Sequence, residues 1–173
     1  MKIDAEDILN YHCPRWNELP EIELYIDQVV SILQKNLYIL FKEENLPVIT
    51  ASMINNYVKQ DVLRPPVKKR YDRSHLAVLF VICIFKRLMS ISQIGESIQT
   101  MLKVYSIEDA YDMFCEELEN ALKAVFDSST EITPNFLKTE VREVAVLQAI
   151  LSAFANCVFV DRLIYLRKKQ EEN

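Results

Sequence analysis

Apolar residues recur every three or four positions along most of this chain, and each such stretch predicts an amphipathic helix. Ile22, Ile26, Val29, Leu33, Leu37 and Leu40 predict one from Pro20 to Glu44, with Pro20 at its first position and Glu21 and Glu23 at the positive end of its dipole. A shorter helix follows from Thr50 to Gln60, opened by Thr50 or Ser52 as cap. It turns Met53, Ile54, Tyr57 and Val58 inward and leaves Ser52, Asn55, Asn56 and Lys59 facing out. Pro65 and Pro66 then force an extended path, Lys68 to Tyr71 is expected to form a small wing, and Asp72 to cap the next helix.

That next helix, His75 to Leu88, contains the unbroken run LAVLFVICIF. Ten apolar residues are about half the length needed to cross a bilayer, so a buried central helix is expected. Ser90 and Gln93 form a capping box for a helix to Met101. Ser106 caps another, Ile107 to Phe126, with Tyr111, Phe114, Cys115, Leu118, Leu122 and Val125 on its apolar side and Glu116, Glu117 and Glu119 on a solvated side. After a turn at Ser128 to Thr133, Pro134 suits the start of a helix reaching Lys168. Val141, Val144, Leu147, Leu151, Phe154 and Val158 make one stripe on it, which Val146, Ile150, Cys157, Val160 and Ile164 widen. A helix apolar over so much of its girth needs covering on more than one side, and a partner subunit would make the protein a homodimer. Residues 1–19 offer only a short helix near Asp4 to Asn10 and a loop whose Trp16 packs on the core.

Composition narrows the fold class further. Gly95 is the single glycine in 173 residues, and parallel sheets, phosphate loops and dinucleotide folds need glycine at their turns. The expectation is an all-α protein with at most a small wing. Cys13, Cys83, Cys115 and Cys157 are widely spread, without metal-ligand spacing, which predicts free thiols and no metal. His12 beside Cys13 is poorly placed to act as its base, and Glu140 and Glu143 lack the histidine a di-metal bundle uses, so no catalytic residue and no cofactor are expected. No basic-then-apolar leader opens the sequence, and a cytoplasmic protein that is not in a membrane is the expectation.

Charge singles out one window. Lys59 to Arg87 holds eight basic residues against two acids, a balance of +6, which leaves −11 on the remainder of a chain whose total is −5. An acidic body with one basic face is the pattern of a protein that meets a polyanion. In a DNA major groove an asparagine amide can donate and accept at an adenine edge, while lysine holds phosphate. Ser52, Asn55, Asn56, Tyr57, Lys59, Lys68, Lys69, Arg70, Tyr71 and Arg73 are the candidate DNA-binding residues.

The run MINNYVKQDVLRPP, followed by KKRYDRSHLAVLFVICIFKRLMSISQI, resembles the winged helix-turn-helix of mercury-resistance-regulator (MerR) type proteins. Tyr57, Leu63, Pro65, Lys69, Tyr71, Ser90, Ile91 and Ile94 sit where that pattern asks, while Asn55 stands where arginine is usual and Asp61 where glycine is usual. Over most of Leu19 to Leu102 the chain also resembles a bacterial family of unknown function, with the signature Met-Ile-Asn-Asn-Tyr-x-Lys and Pro-Pro-x-Lys-Lys-x-Tyr. The resemblance implies a MerR-like winged helix-turn-helix DNA-binding domain over 20–102, after an N-terminal extension at 1–19. Residues 103–173 would form a helical bundle that dimerises and could take a small-molecule effector. Double-stranded DNA is the expected partner, and a helical protein-interaction module without DNA binding is the alternative.

Overall fold

The computed structural model describes residues 5–41, 47–127, 129 and 139–171. Over these the chain is helical: α1 (Glu6–Leu9), α2 (Ile26–Phe41), α3 (Ala51–Lys59), α4 (Arg73–Phe85), α5 (Ile91–Met101), α6 (Ile107–Phe126) and α7 (Arg142–Glu171), with a 3-10 turn at Trp16–Glu18. Among the described residues the only β pairing is two isolated antiparallel bridges, Leu24 with Tyr71 and Val67 with Arg70.

Local chemistry sets most helix starts. The Thr50 hydroxyl accepts the Met53 N–H at 3.2 Å, the Asp72 carboxylate accepts that of His75 at 3.2 Å, and Ser106 accepts that of Asp109 at 3.1 Å. Ser90 and Gln93 form the reciprocal box, with the Ser90 N–H on Gln93 Oε1 at 2.9 Å. The predicted start of α2 at Pro20 is corrected to Ile26. Residues 20–25 are held out of the helix because Leu24 exchanges both backbone hydrogen bonds with Tyr71, at 2.8 and 2.9 Å. Ile22, expected on the apolar stripe, is consequently 70% exposed. The predicted end of that helix at Glu44, the turn at Ser128 to Thr133 and the start at Pro134 fall wholly or partly outside the described residues.

α4 is the centre of the fold. Leu76, Leu79, Phe80, Ile82, Cys83 and Ile84 are all fully buried, and α2, α5, α6 and α7 pack around them. One continuous core joins the segment 20–102 to the segment 103–173. α6 and α7 lie side by side in parallel, since Gln148 reaches Glu117 at 3.1 Å and Phe159 meets Phe126 with ring centroids 5.4 Å apart. Ion pairs from two adjacent residues of α7 tie it to the rest. Arg87, just past α4, bonds Asp161 at 2.7 Å, and buried Arg162 grips both oxygens of Asp7 in α1 at 3.1 to 3.3 Å.

The reading of Glu119 as solvated is also corrected. It takes a bidentate pair from Arg15 at 2.7 and 2.8 Å together with the Cys13 N–H at 2.9 Å, and pins residues 13–15 to α6. Partial burial disfavours its charge, but these hydrogen bonds outweigh that and hold its pKa below the usual carboxylate range. On α7, Leu147, Leu151, Phe154 and Val158 are buried as one stripe, whereas Val146, Val160 and Ile164 are 43%, 50% and 50% exposed. By length and composition α7 is the one described helix able to cross a membrane, with 28% of its most apolar window buried.

Candidate functional site

The site begins with how α3 ends. Asp61 has φ 56°, its N–H reaches the Val58 carbonyl at 3.1 Å, and the Val62 N–H reaches that of Tyr57 at 3.1 Å. This pair of bonds is a Schellman cap, which places a left-handed residue just past the helix. Aspartate tolerates that conformation better than most side chains, so the exit turn forms at a position where glycine would be expected. The chain then drops Leu63 into the core, and Gly95 of α5 comes so close to Val62 that a Cβ there would lie 3.2 Å from its methyl carbon. The single glycine therefore permits a close approach between α5 and the loop that leaves α3, where a side chain would need Val62 to shift by a few tenths of an ångström.

Residues 67–70 make a two-residue turn. The Arg70 N–H donates to the Val67 carbonyl at 2.8 Å, and the two central residues, Lys68 and Lys69, both have positive φ, 49° and 63°. Such turns favour asparagine and glycine, and a lysine in this region is strained. Two things hold the turn in place: the Leu24–Tyr71 bridge behind it, and an ion pair between Arg64 and Asp72 across its base. Partial burial works against ionisation of Asp72, but the contacts with Arg64 and His75 prevail and bring its pKa down to about 2. His75 is buried beneath, with its Nδ1 2.8 Å from the Asp72 carboxylate and its ring edge-on to Tyr71.

The ten candidate residues separate by environment. Ser52, Asn55, Asn56 and Lys59 of α3 are exposed, as are Lys68 and Lys69 at the tip of the turn. Lys59, Lys68 and Lys69 have no carboxylate partner among the described residues. Arg70 is half-buried, its guanidinium stacked 3.6 Å over the Tyr25 ring. Arg73 is turned toward the N-terminal segment, 3.2 Å from Glu21 and 5.6 Å from the Trp16 ring centroid, with its side chain 18% exposed. Tyr57 and Tyr71 are buried core residues; burial pushes the Tyr57 phenol up to about 12 and raises that of Tyr71. Both tyrosines support the surface without forming part of it.

Sequence reasoning passed over Tyr25 and its neighbours. Ile22, Tyr25 and Val67 are 70%, 52% and 65% exposed, beside the basic turn. Residues 21 and 22 form a bend and Leu24 alone pairs, with Ile22 exposed and Leu24 buried, so no local periodicity marks the bridge to Tyr71.

Comparison with known proteins adds one assignment. No curated protein and no solved structure matches the chain. Residues 14–114 match a family described as a domain of unknown function (DUF1836).

Proposed function

The chain belongs to the DUF1836 family, whose description leaves the activity open, and we propose on the geometry above that it is a sequence-specific DNA-binding regulator. The observation that carries this reading is the chemistry of two neighbouring exposed elements. α3 offers Ser52, Asn55, Asn56 and Lys59, and the two-residue turn offers Lys68 and Lys69, which have no carboxylate partner among the described residues, within the window of +6 on an otherwise acidic chain. In this reading α3 is the recognition helix of a MerR-like winged helix-turn-helix, α2 its support, and residues 67–70 its wing. Asn55 and Asn56 read base edges while Lys59, Lys68 and Lys69 hold phosphates. Tyr57, Tyr71 and Arg73 act by positioning these elements. Such a protein is a binder and not an enzyme, and its place is the cytoplasm with the chromosome.

The protein acts as a homodimer in this proposal. Val160, Ile164 and Tyr165 leave the C-terminal half of α7 with exposed apolar positions, and a second copy laid along that part of the helix would cover them. Two heads would then require an inverted-repeat operator with half-sites about 10 bp, or a multiple of that, apart.

Selection of bound fragments from random double-stranded DNA, followed by affinity measurement against salt, tests the proposal. A recovered inverted repeat and a steep log-log salt dependence are expected. No retained DNA even at low salt would overturn it. One observation favours the alternative of a protein-interaction module: the exposed apolar side chains of Tyr25 and Val67 on either side of Arg70. Under that reading Val67→Asp abolishes capture of a protein partner and DNA retention is nil throughout.

A further inference from the structure

A cavity of about 350 Å³ lies between α4, α5 and the first turns of α6 and α7. Val78, Val81 and Phe85 line it from α4, Ile98 from α5, Phe114 from α6 and Leu147 from α7. It is a cleft partly open to solvent, with Leu102 and Val146 of its lining 40% and 43% exposed. A cavity of this size is within the range of small-molecule pockets, roughly 300–1,000 Å³. Its position has the same meaning. It lies where α4 and α5, which underlie the basic surface, meet α6 and α7, and clefts between packed helices are a common place for ligands.

The polar side chains of the lining define the class of ligand. They are Glu96, Ser97, Thr100, Arg142 and Glu143, in addition to the Tyr111 ring. The Thr100 hydroxyl is already bonded to the Glu96 carbonyl at 2.8 Å. One guanidinium stands against two carboxylates, so the lining makes no net demand for an anion, and the acidic body repels one. What remains is apolar wall, where binding comes from burial of apolar area. We propose that this cavity is a binding site for a small, mostly apolar molecule without negative charge. It is independent of whether the basic surface meets DNA.

N-phenyl-1-naphthylamine, an uncharged fluorophore of fitting size, tests the site on the full chain with DNA absent. Saturable fluorescence enhancement with one site per chain is expected. Ala110→Phe and Val146→Trp, which enlarge two lining positions, should each weaken binding about tenfold or more with the melting temperature close to wild type. Should Ala110→Phe fail to fold, Ala110→Leu and Val146→Trp decide. The sulfonate analogue 1-anilinonaphthalene-8-sulfonate should bind more weakly than the uncharged probe. Absence of saturable binding to wild type, or folded variants that bind as wild type does, overturns the site. Tighter binding of the sulfonate overturns the proposed class of ligand. None of these outcomes depends on DNA, so the failure of this inference is distinct from the failure of the DNA-binding reading.

Discussion

Changing Lys68 to asparagine and Lys69 to glycine should make the protein more stable and a poorer DNA binder at once. Both lysines sit at positive φ, where an L side chain costs roughly 1–2 kcal/mol over its preferred conformation. Asparagine tolerates that region better, and glycine removes the steric term while adding about 0.5–1 kcal/mol of unfolded-state entropy. The net gain is about 1 kcal/mol, which raises Tm by roughly 2–4 °C in a chain of this size. The same change deletes two cations that have no carboxylate partner among the described residues. If each neutralises a phosphate, the log-log salt slope flattens by about 1.8, and between about 50 and 200 mM salt wild type loses roughly tenfold more affinity than the variant. Thermal unfolding followed by circular dichroism, and DNA affinity by fluorescence anisotropy across a salt series, read the two effects separately. A lower Tm would refute the strain argument, because the turn would then depend on contacts of the lysines themselves. An unchanged salt slope would refute the assignment of phosphates to this turn.

Asp72→Asn keeps a good helix cap but removes the carboxylate whose folded pKa is about 2. A depressed folded pKa contributes stability that is present above the unfolded value, 3.8, and is lost as pH falls toward 2, so the variant should show a flatter acid-side stability profile between those limits; an identical profile would place the acid sensitivity elsewhere. Gly95→Leu should cost about 1–3 kcal/mol by overpacking against Val62, with part of the loss recovered in combination with Val62→Ala, and denaturant melts that add without recovery would contradict the close approach. Asn55→Ala should weaken binding to the selected site by about 1–3 kcal/mol and leave random DNA nearly unaffected, whereas equal losses would make Asn55 a structural residue. Val160→Glu combined with Ile164→Glu should convert a dimer to a monomer in light scattering without unfolding it, and a wild type that already scatters as a monomer at micromolar concentration would remove the dimer and the palindrome together.

Helix existence and most helix starts were determined by the sequence alone, because capping and amphipathic periodicity act within about four residues. Thr50, Asp72, Ser90 and Ser106 cap the helices that their positions predict, and Ile107–Phe126 spans the predicted range. The burial of α4 followed from its unbroken apolar run, and the outward set on α3 from the spacing of Ile54 and Tyr57. Tertiary structure decided what depended on partners far along the chain. Leu24 was drawn out of a helical pattern by a bridge to Tyr71, and Glu119 was drawn off a solvated face by Arg15, 104 positions away. The same limit applied to the basic cluster. Its charge could be counted in sequence, but Arg73 had been engaged by Glu21 and Trp16 and Arg70 by Tyr25, while Lys68 and Lys69, at the tip of the two-residue turn, have no carboxylate partner among the described residues. A side chain's charge is local information, whereas its availability depends on which distant groups the fold brings within a few ångströms of it.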